Sequence, residues 1–268
     1  MVRGMKDKVI VITGASSGIG AALAEVVAGR GARVVLAARR AEPLAALAAK
    51  LEKTGAQAIA VTADVTKRAD NERLRDETIK RFGQLDVFVA NAGRGITRNV
   101  SQLTDEDVDD MMTTNLKSVL YGIQAVLPGF RERKSGHLIA VSSMLGRIPF
   151  VSVRSAYSAA KAALNSMMAS LRLEVKPEFP EIHVSTVMPG VVATDFGTNA
   201  LHGGPDSRVL PGAQPVEEVA TIIADLIERP RAEVYTRPEL RELTGRYYSA
   251  EDIGAIEGAP PFGMPARR

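Results

Sequence analysis

The segment from residue 8 to residue 30 constrains the fold of this chain most strongly. Residues 8–12 form a short β-branched run that predicts a strand, and residues 21–30 are Ala-rich with the pattern of a helix. The glycines of the turn between them fall at positions 14, 18 and 20. Glycines let the backbone approach a pyrophosphate closely, and the first N–H groups of the next helix attract its negative charge. The segment therefore predicts a phosphate-binding turn. Because the spacing departs from G-x-G-x-x-G, an ordinary strand-to-helix turn is the alternative.

The alternation of strand and helix continues along the whole chain. Apolar runs predict strands at residues 33–37, 57–63, 86–90, 137–141, 182–187 and 233–236. Helical periodicity predicts helices at 41–54, 67–82, 105–131 and 155–175, and one that opens at Pro215 and ends before Pro230. Strands joined by helices of this length need right-handed crossovers and build a parallel sheet. We expect an α/β fold with a doubly wound parallel sheet of about seven strands, helices on both faces, and a single domain over residues 1–268.

The composition fits this fold and argues against several other classes of protein. The chain is 46% hydrophobic but only 4% aromatic, as expected for parallel strands covered by close-packed helices. It has no Cys, and its three His residues are far apart in sequence, so we expect no metal site. The formal charge of +3 comes from interspersed acids and bases, so we expect no nucleic-acid partner. Without an apolar run of membrane-spanning length, we expect a cytoplasmic protein with no membrane partner.

Four predicted strands end at a polar residue, namely Thr13, Asp64, Asn91 and Ser143. The carboxyl ends of parallel strands share one edge of the sheet, and ligands of such sheets bind along it. This edge is therefore the predicted location of the functional site. The Gly- and Pro-rich residues 195–214 follow the sixth strand at the same edge, and we expect them to form a lid or a disordered segment.

The predicted helix at residues 155–175 carries a Tyr and a Lys one turn apart. Tyr157 and Lys161 are related as i and i+4, so their side chains lie on the same face. A free phenol with a pKa of about 10 exchanges protons poorly at neutral pH, but a nearby ammonium stabilises the phenolate and lowers that pKa. The pair therefore suits general acid/base catalysis. A half-buried Tyr beside a solvated Lys is the alternative for this motif taken alone.

The second predicted strand ends in Ala38-Arg39-Arg40, which bears on the choice of cofactor. At this position of a dinucleotide-binding fold an acidic residue binds the 2′-hydroxyl of the adenosine ribose, whereas an arginine accommodates a 2′-phosphate. The acid is missing here and two bases are present. We therefore expect NADP(H) to be preferred over NAD(H), with Arg39 as the main contact and Arg40 as a secondary or stacking partner. A solvated loop is the alternative interpretation of the two arginines.

Several motifs, taken together and in this order, resemble those of the short-chain dehydrogenase/reductase family in its compact one-domain form. They are Thr13-Gly14-x-x-x-Gly18-Ile19-Gly20, Asn91-Ala92-Gly93, Asn115, Ser143, Tyr157-x-x-x-Lys161 and Pro189-Gly190. The resemblance covers about residues 6–236 and implies a Rossmann-type fold, a nicotinamide dinucleotide cofactor and the interconversion of an alcohol and a ketone or aldehyde. Residues 237–268 would form a C-terminal tail without a period, either loose or docked on a neighbouring subunit.

The resemblance also implies a catalytic set of Asn115, Ser143, Tyr157 and Lys161. Tyr157 would deliver a proton to the developing alkoxide, and Ser143 would hydrogen-bond that oxygen. Lys161 would lower the pKa of Tyr157 and bind the nicotinamide ribose. Asn115 would anchor a proton-relaying water, although an exposed helical Asn is the alternative for this residue alone.

By the same resemblance, a larger set of residues is expected to bind the cofactor. Asp64 and Val65 would border the adenine, and Val192 and Thr194 would hold the carboxamide. The full expected set is Gly14, Ser16, Ser17, Gly18, Ile19, Gly20, Arg39, Arg40, Asp64, Val65, Asn91, Ala92, Gly93, Tyr157, Lys161, Pro189, Gly190, Val192 and Thr194.

Substrate and partners are less constrained. Arg94, Arg98, Arg147 and Arg154 lie near the catalytic motifs, so an anionic group on the small-molecule substrate is one reading and ordinary surface arginines are the other. The long helices at 105–131 and 155–176 carry more apolar positions than one sheet face can cover, so we expect a homotetramer or a dimer.

An NADP(H)-dependent oxidoreductase is the leading hypothesis. A non-catalytic dinucleotide-binding redox sensor is the alternative from another class, since a fold alone does not determine function. The presence of Ser143, Tyr157 and Lys161 together favours the enzyme. An isomerase or dehydratase on this fold usually carries an added substrate domain, for which the chain has no room.

Overall fold

Seven parallel strands form one sheet in a computed structural model of the chain, which describes residues 4–258 and 260–262. The strands are β1 (Val9–Thr13), β2 (Arg33–Ala38), β3 (Ala58–Thr62), β4 (Val87–Ala90), β5 (Gly136–Val141), β6 (Ile182–Met188) and β7 (Glu233–Tyr235). Their order is β3-β2-β1-β4-β5-β6-β7. The order reverses between β1 and β4, the position where a doubly wound sheet opens a crevice for ligands. The predicted α/β, Rossmann-type fold is confirmed.

Helices connect the strands and cover both faces of the sheet. They are α1 (Gly18–Gly29), α2 (Ala41–Lys53), α3 (Arg68–Phe82), α4 (Asp105–Met112), α5 (Ser118–Glu132), α6 (Ser155–Val175), α7 (Val216–Glu228), α8 (Pro238–Tyr248) and α9 (Ile253–Ile256). No helix in the part of the chain that the structure describes is long and apolar enough to cross a membrane.

Each face of the sheet has its own hydrophobic core, because successive side chains of a strand point to opposite faces. In β1, Ile10 and Ile12 belong to the core formed with α1, α2 and α7. Val9 and Val11 belong to the core formed with α3, α5 and α6. Burying a large aliphatic side chain contributes roughly 1.5–3 kcal/mol, so the central strands are fixed from both sides. The sheet edge that carries the site therefore rests on a rigid support.

The helix predicted over residues 105–131 is interrupted in the structure. Thr104 caps α4 in a capping box, because Thr104 Oγ1 accepts from the Asp107 N–H while the Asp107 carboxylate accepts from the Thr104 N–H. Between α4 and α5 the backbone makes one π-helical turn, Thr113–Lys117. Turns of this kind are rare and are frequently found at functional sites. Asn115, at the centre of the turn, is fully buried.

The C-terminal segment, for which no period was expected, forms α8 and α9 and packs on its own chain. Tyr247 and Phe262 share a small core with Met144 and Ile148. The Tyr248 hydroxyl donates to the backbone carbonyl of Arg147 at 2.7 Å. The described part of the tail is therefore docked on the segment that follows β5. The rest of the predicted tail, residue 259 and residues 263–268 with Gly263 and Pro265, lies outside the described residues.

Candidate functional site

The turn between β1 and α1 is shaped to receive a phosphate group. Gly14 and Gly18 have φ angles of +66° and +56°, a conformation that favours glycine. A Cβ atom on Gly20 would lie 2.5 Å from the carbonyl oxygen of Gly14, so this position has no room for a side chain. Ser17 precedes α1 without a side-chain capping bond, and the first turn of the helix holds no acidic residue. The free N–H groups of this helix start therefore face no competing negative charge.

Thr13 and Asn91 fasten this turn to the end of β4. Asn91 Nδ2 donates to the carbonyl oxygen of Thr13 at 2.9 Å. The N–H groups of Asn91 and Ala92 both donate to Thr13 Oγ1, at 3.0 and 3.1 Å. A Cβ on Gly14 would lie 2.9 Å from Ala92 Cα, so the two strand ends touch. The predicted residues Asn91 and Ala92 thus line the crevice at the switch point of the sheet, and Thr13, which ends β1, positions both.

Asn115 and Lys161 meet beside Gly93. A Cβ on Gly93 would lie 2.9 Å from Asn115 Oδ1 and 3.6 Å from Lys161 Nζ. Asn115 Nδ2 donates to the carbonyl oxygen of Arg94 at 3.0 Å, and its Oδ1 accepts from the Arg94 N–H at 3.1 Å. Asn115 is therefore not an exposed helical residue. It holds the segment that follows β4 against the π-helical turn.

Tyr157 and Lys161 lie on α6, and Ser143 follows β5. All three are buried, with 6%, 3% and 8% of their surface exposed. The Lys161 Nζ atom lies 5.7 Å from the centroid of the Tyr157 ring and donates to the carbonyl oxygen of Val141 at 2.9 Å. The other face of the site is apolar, because the Phe196 ring packs 5.4 Å from the Tyr157 ring. The structure thus brings these side chains together at the predicted edge of the sheet.

Burial dominates the acid/base properties of this cluster. It raises the pKa of Tyr157 to about 12, against the opposing effects of a hydrogen bond with Ser143 and the positive charge of Arg154. It also lowers the pKa of Lys161 to about 8. The expected lowering of the Tyr157 pKa by Lys161 is therefore not found in the protein alone. The ammonium is directed at the Val141 carbonyl, and the same burial disfavours its own charge.

Of the two arginines after β2, Arg40 is the one that reaches the glycine-rich turn. Its Nη2 donates to Ser16 Oγ at 3.1 Å and to Ser17 Oγ at 2.9 Å. Arg39 is exposed and makes no side-chain hydrogen bond or ion pair within residues 4–258 and 260–262. The residue expected as the secondary partner of a 2′-phosphate thus already lies at the turn.

The segment that follows β6 runs past the same crevice. Thr194 Cγ2 lies 3.3 Å from the position that a Cβ on Gly18 would take, so this segment borders the glycine-rich turn. Val192, two residues before Thr194, is buried. The carbonyl oxygen of Pro189 accepts a hydrogen bond from the Met144 N–H at 2.8 Å. Gly190 faces Leu240 of α8, which lies 3.3 Å from a Cβ built there.

Asp64 and Val65 also lie at this edge, but their polar groups bind their own turn. Asp64 Oδ1 accepts from the N–H and the hydroxyl of Thr66, at 3.1 and 2.7 Å. The Val65 carbonyl accepts from Asn71 Nδ2 at 2.9 Å. These contacts fix the loop after β3 without bringing either side chain to the catalytic cluster.

The predicted lid is tied to α4 by a buried carboxylate that the sequence analysis did not single out. Asp107, which is 3% exposed, accepts from His202 Nε2 at 2.7 Å and pairs with Arg98 at 2.8 Å. The hydrogen bond with His202 is the main cause that lowers the pKa of Asp107 to about 2. Asp107 and His202 are 95 residues apart. The local sequence signal for Asp107 was its position three residues after Thr104, which is the spacing of a capping box.

Comparison with known proteins gives a consistent assignment. A family model described as short chain dehydrogenase matches residues 8–203. The chain is 38% identical over 231 residues to an uncharacterized oxidoreductase of Listeria innocua, covering 84% of this chain and 92% of that one. It is similar in fold to a short chain dehydrogenase/reductase from Burkholderia phymatum solved in complex with NAD, with a TM-score of 0.86, 24% identity and coverage of 95% and 97%. An alcohol dehydrogenase from Thermococcus sibiricus complexed with 5-hydroxy-NADP gives a TM-score of 0.75, 28% identity and coverage of 85% and 95%.

Proposed function

The chain belongs to the short-chain dehydrogenase/reductase family, and from this we propose that it is an NADP(H)-dependent oxidoreductase that interconverts an alcohol and a ketone or aldehyde. Membership of the family makes it an NAD(P)-dependent oxidoreductase. The observation that carries the finer proposal is the meeting of Tyr157, Ser143, Lys161 and Asn115 at the same sheet edge as the glycine-rich turn.

The residues along the crevice fit a phosphorylated dinucleotide. The glycine-rich turn offers free N–H groups to a pyrophosphate, and side chains at Gly14 and Gly20 would collide with the backbone. Arg40 and the hydroxyls of Ser16 and Ser17 provide a cation and hydrogen-bond donors near the end of β2 for a 2′-phosphate. Lys161 uses one ammonium proton on Val141, which leaves two for the hydroxyls of the nicotinamide ribose.

The four residues then have distinct parts in the reduction of a carbonyl. When bound, the reduced nicotinamide supplies a hydride, which carries two electrons to the carbonyl carbon. The π electrons of the C=O bond move to oxygen, and the Tyr157 hydroxyl gives its proton to that oxygen. Ser143 donates a hydrogen bond to the same oxygen while its charge develops. The Tyr157 phenolate regains a proton from solvent, and Asn115 keeps the segment beside Lys161 in place.

The burial of Tyr157 suits the reducing direction. A phenol with a pKa of about 12 is fully protonated at neutral pH and is therefore ready to donate. Oxidation of an alcohol needs the phenolate instead. A hydrogen bond with Ser143 and the positive charge of Arg154 favour the phenolate, but burial outweighs them. The protonated phenol that carbonyl reduction requires is therefore the form present near pH 7.

The test is hydride transfer from cofactor to substrate. Purified protein is incubated with NADPH deuterated at C4 of the nicotinamide and with a panel of ketones and aldehydes, and the products are analysed by mass spectrometry. We expect deuterium on the carbinol carbon of at least one product, together with loss of nicotinamide absorbance. A protein that binds NADPH in a fluorescence titration but transfers deuterium to no member of the panel would count against the enzyme and favour the non-catalytic sensor.

A further inference from the structure

The structure separates one of the four arginines near the catalytic motifs from the other three. Three of them are paired with carboxylates: Arg94 with Asp110, Arg98 with Asp107 and Arg147 with Glu233. Arg154 has no acidic partner among residues 4–258 and 260–262. An unpaired guanidinium that is half-buried calls for an anion, because its charge is only partly solvated.

The backbone around Arg154 holds its side chain in one place. Arg154 Nη1 donates to the carbonyl oxygen of Ile96 at 3.1 Å. The Arg98 N–H donates to the carbonyl of Val153 at 2.7 Å, so the two segments pair beside it. A Cβ on Gly95 would lie 2.8 Å from Nη1, so the glycine makes room for the guanidinium. The cation is therefore positioned before any ligand arrives.

This cation is close to the proposed proton donor. Arg154 precedes Tyr157 by three residues at the start of α6, and its positive charge acts on the Tyr157 phenol. The Phe196 ring centroid lies 5.4 Å from that of Tyr157. Phe196 Cε1 and Arg154 Nη1 both approach the position that a Cβ on Gly95 would take, at 3.0 and 2.8 Å. A group bound by Arg154 would therefore sit beside the carbonyl that Tyr157 protonates.

We propose that Arg154 binds a carboxylate of the substrate, so that the preferred carbonyl substrates are oxo acids. One guanidinium matches the single charge of a carboxylate, and the planar fork of Arg suits its two oxygens. A phosphate dianion would need a second cation, and the other three nearby arginines are already paired. The inference rests on the proposed function of the site and names its substrate class.

The experiment compares matched acids and neutral esters. Pyruvate, acetoacetate and levulinate are each assayed against their methyl esters with NADPH, in wild type and in Arg154→Gln, which keeps a donor for the Ile96 carbonyl but removes the charge. We expect wild type to prefer the acid at least roughly tenfold in kcat/KM for one or more pairs. Arg154→Gln should lose that preference by lowering the value for the acid more than that for the ester, and Arg154→Lys should restore part of it.

A control variant shows whether the effect is specific to Arg154. Arg94→Gln makes the same charge change at a nearby arginine that is paired with Asp110, and it should leave the ratio of acid to ester unchanged. Thermal melting of every variant establishes that it is folded.

Several outcomes would overturn the inference. A wild-type preference for the esters would reject the inference but leave the proposed function intact. An equal loss for acid and ester in Arg154→Gln would mean that Arg154 acts through Tyr157 and touches no substrate. If no probe is reduced, the proposed function fails for these compounds. Calorimetric titration of levulinate and its ester into the NADP⁺-saturated protein then decides, and binding of the acid no tighter than that of the ester would reject the site.

Discussion

Replacing Lys161 by Met should remove a pH-dependent penalty on folding. Lys161 is 3% exposed, and burial lowers the pKa of its ammonium from 10.5 to about 8. Below pH 8 the folded protein must hold a charge in its interior that the unfolded chain holds in water, so the ionised side chain opposes folding. Because the folded-state pKa is the lower one, the penalty is complete below it and disappears as the pH rises through the unfolded-state pKa.

The two pKa values set the size of the effect. They correspond to a penalty of about 3 kcal/mol at pH 7 that falls to about 1.5 kcal/mol at pH 9.5. Wild type should therefore gain about 2 kcal/mol of unfolding free energy from this residue between the two pH values. Loss of the hydrogen bond to Val141 costs roughly 1–3 kcal/mol in the variant, so its stability at pH 7 changes little. The difference in pH dependence is the sharper quantity, because that cost is the same at both pH values.

Urea unfolding followed by far-UV circular dichroism measures the unfolding free energy of wild type and variant at pH 7 and 9.5, without cofactor and at one protein concentration. Other titrating groups are common to wild type and Lys161→Met and cancel in the comparison. Lys176→Met, at the exposed C-terminal end of the same helix, is the matched control and should keep the wild-type pH dependence. If Lys161→Met also kept it, the ammonium would be solvated or neutral, and its placement in the core of the site would be wrong.

Three further predictions concern the cofactor and the assembly. Arg40→Ala and Arg39→Ala should each lower kcat/KM for NADPH by roughly tenfold to a hundredfold and leave the value for NADH unchanged. Ala38→Asp should invert the cofactor preference, because the new carboxylate repels a 2′-phosphate. A wild-type enzyme that prefers NADH would contradict this prediction. Gly20→Ala should abolish NADPH binding in a fluorescence titration of folded protein, because its Cβ would lie 2.5 Å from a carbonyl oxygen of the turn, whereas Gly29→Ala, with no atom within 4 Å, should bind normally. Light scattering at micromolar concentration should give a dimer or tetramer, and a mass near 28.6 kDa would refute that.

The sheet could be predicted from sequence because its signals are local, and the two departures in the helices have different causes. A π-helical turn at Thr113–Lys117 leaves the apolar period on either side intact, and Asn115 is held there by contacts with Arg94, which no periodicity reveals. Helix α8 did carry a local signal, with Pro238 at its start and Leu240, Leu243 and Tyr247 at helical spacing. The Gly- and Pro-rich stretch beyond it obscured that pattern.

The candidate site shows the same division. The glycine-rich turn and the spacing of Tyr157 and Lys161 are sequence features, and the resemblance to a family named the residues around them. The pKa of Tyr157 is raised by burial under distant segments and is lowered in part by a hydrogen bond with Ser143 and by the charge of Arg154. Contacts such as that between Asp107 and His202 join residues 95 positions apart and leave no pattern in the chain. The catalytic assignments themselves stay predictions until they are measured.

The most direct test of the proposed reaction is the hydroxyl of Tyr157. Tyr157→Phe removes the proton donor and leaves the ring against Phe196, so the fold and the crevice should be preserved. Turnover of the best carbonyl substrate should fall by roughly 10²–10⁴-fold, while the Kd for NADPH stays within about threefold of wild type. Tyr121→Phe, a phenol on α5 whose ring lies under Arg68, is the control and should retain activity. Wild-type turnover in Tyr157→Phe would show that another group delivers the proton and would contradict the assignment of this site.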